Sequence, residues 1–333
     1  MKIYKSAHYD TFRCIAASCP DSCCKEWDVA VDETSAALYR ALPGELGDRL
    51  RQVMYKEDDQ VYMSIVNGRC PMWRPDGLCR IQAELGHDAL CKTCRNFPRL
   101  SHDYGNFMEL GLELSCPEAA RMILSSPVSS FAVTEVAGGE DPEYDREAMK
   151  ILLRTRKEAF AILENANYSV PEALALLLIY GYQAQAILDG GDVPDFDPAL
   201  SLLQAKEMAA PGSMSEILQF FSSLEILTEE WKMRLKSPKP IAWHEQFRNL
   251  AHYGIERYWL QAVSDYDLVG RVKFVVIFCL VVHILGGDFI ATAQLFSKEI
   301  ENDADNVDAI LEGAYNSPAL TDAKILGQLL ACP

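Results

Sequence analysis

Nine of the chain's eleven cysteines fall between Cys14 and Cys116, in four groups: Cys14-x4-Cys19-x3-Cys23-Cys24, Cys70-Pro71-x7-Cys79, Cys91-x2-Cys94 and Cys116-Pro117. Only Cys279 and Cys332 stand outside. Cysteine is conserved in a design for its chemistry more than for its volume, so this density calls for disulfides, a metal or a redox function. The rest of the sequence narrows the choice.

A chain of 333 residues can bury a core without covalent staples, which argues against a small disulfide scaffold. The opening MKIYKSAHYDTFRC contains no apolar leader segment. The longest apolar run, 274–282 within 272–285, is interrupted at its flanks by Lys273 and His283. It reads as too short for a bilayer and as a core helix instead. A cytoplasmic, reducing location is therefore expected, with no membrane partner. There, clustered cysteines point to metal ligands or redox groups rather than structural disulfides.

Net charge is −17, and residues 1–124 hold 15 basic and 18 acidic side chains against 31 and 48 for the whole chain. The acidity thus lies in the second part. It repels phosphate backbones, so no nucleic-acid partner is expected, and it favours a basic or lysine-bearing one.

The first third reads as short elements between cysteines. Segments 27–31, 61–66 and 107–114 have strand character, and 34–42, 46–54, 78–85 and 117–124 helical character. Pro117, directly after Cys116, suits the first turn of a helix. Residues 125–142, rich in Ser, Gly and Pro, read as a connector. Beyond it the pattern is helical: 171–188 opens with proline, and Ser213 with Glu216 forms a candidate capping box. The expected fold is mainly α. An N-terminal cysteine-rich α+β metal module with a small antiparallel sheet (1–125) leads through a connector (126–142) into an acidic all-α domain (143–333).

Thiolates select zinc or iron–sulfur, and histidines at finger spacing are missing, so a zinc site would be mostly thiolate. The side chains of Cys23 and Cys24 diverge, so the pair suits two sites, or one site and its wall. The spacings match neither ferredoxin pattern. Cys19-x3-Cys23 begins like the triplet of radical S-adenosylmethionine enzymes, but position 26 is Glu26. The pairs Gly138-Gly139, Gly190-Gly191 and Gly286-Gly287 lack the frame of a phosphate loop. His87 and His102 lie near Cys94 in sequence and read as surface histidines. Cys279, inside the most apolar helix, reads as a small hydrophobe.

Several blocks together resemble one family. Tyr9-x2-Phe12-x-Cys14-x4-Cys19-x3-Cys23-Cys24-x2-Trp27, Cys70-Pro71, Leu78-Cys79-x-Ile81, Leu85-Gly86, Thr93-Cys94-Arg95-x-Phe97-Pro98-Arg99 and Ser115-Cys116-Pro117-Glu118-Ala119-Ala120-Arg121 resemble the flagellin lysine-N-methylases, the FliB-type proteins. A looser likeness is to zinc- or iron-chelating cysteine-cluster proteins. The resemblance implies that Cys14, Cys19, Cys23, Cys24, Cys70, Cys79, Cys94 and Cys116 are metal-associated. Cys91 falls where relatives are expected to carry a small polar residue, and is left out of the set.

The same resemblance implies an iron–sulfur cluster, of 4Fe-4S type with zinc as the alternative, and methyl transfer from S-adenosylmethionine to flagellin lysines. Such a reaction needs a deprotonated amine and walls that tolerate cations. Tyr4, Tyr9, Trp27, Trp73 and Tyr104 are aromatic candidates for such walls. The rival from another class is a non-catalytic metal-binding or redox-sensing interaction protein.

Overall fold

The computed structural model describes residues 1–23, 29–126 and 131–330. The cysteine-rich part opens with β1 (Lys2–Lys5), followed by β2 (Val29–Val31), α1 (Glu33–Ala41), α2 (Gly44–Val53), β3 (Met54–Glu57) and β4 (Gln60–Met63). The short helices α3 (Arg80–Leu85) and α4 (Lys92–Asn96) come next, then β5 (Arg99–Asp103), β6 (Phe107–Leu112), α5 (Pro117–Ser125) and β7 (Ala132–Glu135). Helix α1 starts where Asp32 accepts the Ser35 backbone N–H at 3.0 Å, and Pro117 stands in the first turn of α5 as its missing donor allows.

These strands form two sheets. The small antiparallel one, β2-β4-β3, contains the strands expected within 27–31 and 61–66; its third strand is β3, whereas the strand expected at 107–114 is β6 and stands in the other sheet. The second, β5-β6-β1-β7, is mixed: β1 runs parallel to β6, while β5 and β7 are antiparallel to their neighbours. The parallel pair is possible because roughly a hundred residues cross over between its strands. Strand β7 lies inside the stretch read as a connector. Its residues are all exposed, so it carries no buried alternation to betray it in the sequence.

Two cores divide this part. Val29, Val31, Tyr39, Leu50, Met63 and Met72 make a small one between β2-β4-β3 and α1–α2. Phe107, Leu114, Ala120 and Leu124 instead join the large core of the helices that follow.

Those helices are α6 (Arg146–Glu164), α7 (Val170–Leu188), α8 (Pro198–Met208), α9 (Met214–Ser222), α10 (Glu229–Lys236), α11 (Gln246–Tyr258), α12 (Leu268–Leu285), α13 (Phe289–Phe296), α14 (Ala304–Asn316) and α15 (Asp322–Leu330). Helices α7, α9, α11, α13, α14 and α15 pack around α12, every residue of which is buried. By length and composition α12 could cross a membrane, contrary to the expectation of too short a run. It begins earlier than the unbroken apolar stretch, because Asp267 caps it by accepting the Gly270 N–H at 2.9 Å. Its complete burial makes it the core helix. Two neighbours approach it through glycine: a Cβ on Gly181 or Gly254 would lie 2.9 Å from Val272 or 2.7 Å from Val275.

The capping box expected at Ser213 is formed in part: Ser213 accepts the Ser215 N–H at 3.2 Å rather than that of Glu216, while Glu216, paired with Lys324 at 2.9 Å, also accepts from the Ser213 backbone N–H. The reciprocal contact occurs at α7, where Glu172 accepts the Ser169 backbone N–H at 3.0 Å.

The cysteine-rich part is locked to the helices. Helix α5 lies against α11 and α13. Arg156 on α6 makes two bonds, 2.8 and 2.6 Å, to Glu109 on β6, with side-chain exposures of 7% and 6%. Lys298 reaches Asp21 at 3.1 Å.

Candidate metal centre

Six of the eight cysteines implied by the resemblance line one cleft of about 610 Å³: Cys14, Cys19, Cys23, Cys79, Cys94 and Cys116. Local structure explains their placement. Cys19 directly follows the short turn Ala16–Ser18, and Cys14 stands two residues before it. Cys79 and Cys116 each occupy the position before a helix, α3 and α5, and Cys94 lies in α4 just after Cys91 at its start. Three helix starts thus carry sulfurs, and at Cys116 the backbone N–H groups of Glu118 and Ala119 favour the thiolate against a larger opposing effect of burial. Of the other two, Cys24 lies outside the described residues. Cys70 does not line the cleft; it is buried in the small core beside Met72.

The sulfurs feel one another's charge. Cys14, Cys19 and Cys23 interact as a group, and Cys116 interacts with Cys19 and Cys14. Cys94 interacts with Cys91, Cys23 and Cys79, so Cys23 belongs to both neighbourhoods. Burial pushes Cys116 up to about 12 and also raises Cys19. Hydrogen bonding between the two thiols lowers Cys91 and raises Cys94 in turn. Cys91 therefore belongs with the cleft sulfurs electrostatically, although it sits behind the lining in the small core.

The donor set has the chemistry of a soft-metal or iron–sulfur site, and the cleft has room for more than an ion. Among the described residues, however, no three His, Cys, Asp or Glu side chains converge closely enough to hold a single metal ion. The fit to a thiolate-held group is thus one of donor type and space.

Flagellar biosynthetic protein FliU of Salmonella muenchen is 30% identical to the chain over 158 residues, which are 45% of this chain and 90% of that protein. The chain belongs to this family. Lysine-N-methylases of Salmonella typhimurium and Salmonella choleraesuis are 28% and 29% identical over 194 and 185 residues. These matches take in 55% and 52% of this chain, which spans about half the length of the two methylases, 47% and 45%. The family relationship expected from the cysteine blocks is therefore present. No family model matches the chain, and no solved structure matches it.

The family blocks also contain cleft residues that cysteine counting missed. Arg13, Arg95 and Arg99 line the same cleft. Arg95 and Arg99 stand in the quoted Thr93–Arg99 block and could have been found there. The aromatic candidates have other work. Tyr4 packs edge-on to Phe107, Tyr104 stacks on Phe107, Arg69 lies 4.0 Å over Trp73, and Tyr9 faces Lys5 and Arg99. Trp27 lies outside the described residues. His87 is exposed at the cleft, whereas His102 is no surface residue: its Nε2 is buried and has no hydrogen-bond partner among the described residues.

Beside the cleft, and sharing Asp21 and Pro117 with it, runs a groove of about 600 Å³ between α5, α10 and α13. Its described lining includes Asp21, Glu118, Glu229, Glu230 and Asp288 against Arg121 and Lys298.

Proposed function

We infer that the chain is a cytoplasmic protein-lysine N-methyltransferase, acting with S-adenosylmethionine on flagellin lysines and carrying a cysteine-held iron–sulfur cluster. The observation that carries this reading is the match to two proteins named lysine-N-methylase, in a chain whose cysteines gather at one cleft. Cys14, Cys19, Cys23, Cys79, Cys94 and Cys116 would hold the cluster, with Cys24 beside Cys23. A bound cluster supplies iron that can take up a carboxylate or amine from a ligand. Arg13, Arg95 and Arg99 offer guanidinium groups for the carboxylate of an amino-acid-like donor. The carboxylate-rich groove beside the cleft suits a lysine-bearing protein face.

Two measurements test this. Anaerobic purification followed by metal and sulfide analysis should give iron with acid-labile sulfide; zinc without sulfide refutes the cluster. Label should pass from S-adenosylmethionine to flagellin lysines, and a fully loaded protein that transfers none refutes the methyltransferase reading.

A second reading, a non-catalytic redox-sensing or zinc-binding interaction protein, is favoured by the Cys91–Cys94 pair, two interacting thiols at the start of α4. Reversible oxidation of that pair in a protein without methyl-transfer activity would establish it.

A further inference from the structure

A second, smaller cavity lies on the other side of Phe12 and Leu112, which pack together as a wall with Cys116. It sits at the seam where the mixed sheet meets α11. Its origin is a missing side chain. On β5 and β6, Leu100 pairs with Gly111 and His102 with Glu109, so these four share one face toward α11. A Cβ built on Gly111 meets nothing within 4 Å. The resulting cavity is about 70 Å³, the room of a few waters or the end of one side chain, and too small for a nucleoside.

The chemistry around it selects a cation. Glu109 is matched by Arg156. Arg257 stands 3.4 Å from Glu301 and 3.9 Å from Glu113. Glu256 has no Lys or Arg within ion-pair distance among the described residues; its partner is His252, at 3.2 Å. Of these four carboxylates, Glu256 alone is met by no guanidinium; the His252 imidazole, which also lines the cavity, is its partner. His8 and His102 line the same space, and burial holds both below the ordinary imidazole range. The buried Nε2 of His102 remains as a hydrogen-bonding atom for a ligand. Leu100, Leu112, Ile123 and Phe131 supply an apolar lining for a methylene stem.

We propose that this cavity receives a primary alkylammonium group, the end of a substrate lysine, with Glu256 as its counter-charge and Gly111 as the position that keeps it open. That the amine is a methyl acceptor rests on the function proposed above; that the cavity binds an alkylammonium does not.

The test uses n-butylammonium chloride, with 1-butanol as the uncharged match, on the full chain without any methyl donor. Binding is followed through the imidazole NMR signals of His102 and His252. The expected result is saturable binding of butylammonium and at least about tenfold weaker binding of butanol. Glu256→Gln should weaken the ammonium by at least about tenfold, the loss of one charge-assisted hydrogen bond. Gly111→Val should abolish binding, because valine suits a strand and fills the space. Circular dichroism checks that both variants fold, and either one alone decides the matter.

No binding to the parent chain, equal binding of butanol, or unchanged binding to a folded variant overturns the proposal. Loss of binding in Glu256→Gln with undiminished methyl transfer to flagellin overturns the lysine assignment. Ammonium binding in a loaded protein that transfers no methyl group supports the cavity and counts only against the methyltransferase reading.

Discussion

The ion pair between Glu109 and Arg156 can be taken apart in a way that measures how the cysteine-rich part is held to the helices. Both side chains are nearly sealed from water and share two short bonds. Replacing Arg156 by Met leaves a buried carboxylate with no partner on α6, and replacing Glu109 by Met strands a guanidinium. Each single change should cost about 3–5 kcal/mol, because the remaining charge keeps its desolvation penalty and loses its compensation. The double replacement removes both charges with side chains of similar length and should cost no more than about 1–2 kcal/mol, since such pairs are often neutral against apolar substitutes. The coupling energy is therefore several kcal/mol.

Urea unfolding measures it, with far-UV circular dichroism and tryptophan fluorescence as paired probes. Trp259 is a suitable reporter, since its indole N–H donates to Thr155, the neighbour of Arg156, at 3.3 Å. The transitions of the two probes must coincide for the free energies to be comparable. Single variants costing less than about 1 kcal/mol, or a double variant as costly as the sum, would refute the argument.

Other consequences are open to simpler tests. Asp32 caps α1 and also accepts the Lys92 N–H at 2.8 Å, which lowers its pKa to about 2 from 3.8. Its contribution, about 1 kcal/mol at this solvent-screened position, is complete above pH ~5 and fades as pH falls toward about 2. Asp32→Asn should flatten that part of the stability–pH curve, and an unchanged slope would count against the assignment. Gly254→Ala pushes a methyl against Val275 and should cost about 1–3 kcal/mol, with Val275→Ala restoring most of it. Brief alkylation of the metal-free protein should mark the exposed Cys14 and Cys23 before the buried Cys70, Cys91, Cys116 and Cys279, as read by peptide mass mapping.

The cysteine groups and helical periods carried much of this structure in plain view. Two strands of the small antiparallel sheet, the helix opening at Pro117 and the helix-rich second part all follow from local pattern. What sequence could not separate was a cysteine that lines from one that packs. Cys70 and Cys79 bound one short stretch, yet Cys70 turns into the small core while Cys79 lines the cleft. Cys91, which the family resemblance leaves out of the metal set, interacts directly with Cys94. Strand β7 is exposed along its length and so lacks the alternation that burial imposes. The seam cavity draws His8, His102, Gly111, His252 and Glu256 from distant segments: the loop after β1, the paired strands β5 and β6, and α11.

The central position of α12 also sets a clock on synthesis. Its principal neighbour α7 ends at Leu188, and α12 begins only at Leu268, 80 residues later. At roughly 5–20 residues per second the ribosome needs about 4–16 s to cover that interval. Throughout it the part of α7 that α12 covers stays open, while α6 and then α8 cover other parts, and α12 then emerges before its later neighbours α13, α14 and α15. The nascent chain thus presents chaperones with a long, strongly apolar client, and variants that weaken the α7–α12 crossing at Gly181 and Val272 should show it first as lost yield in cells.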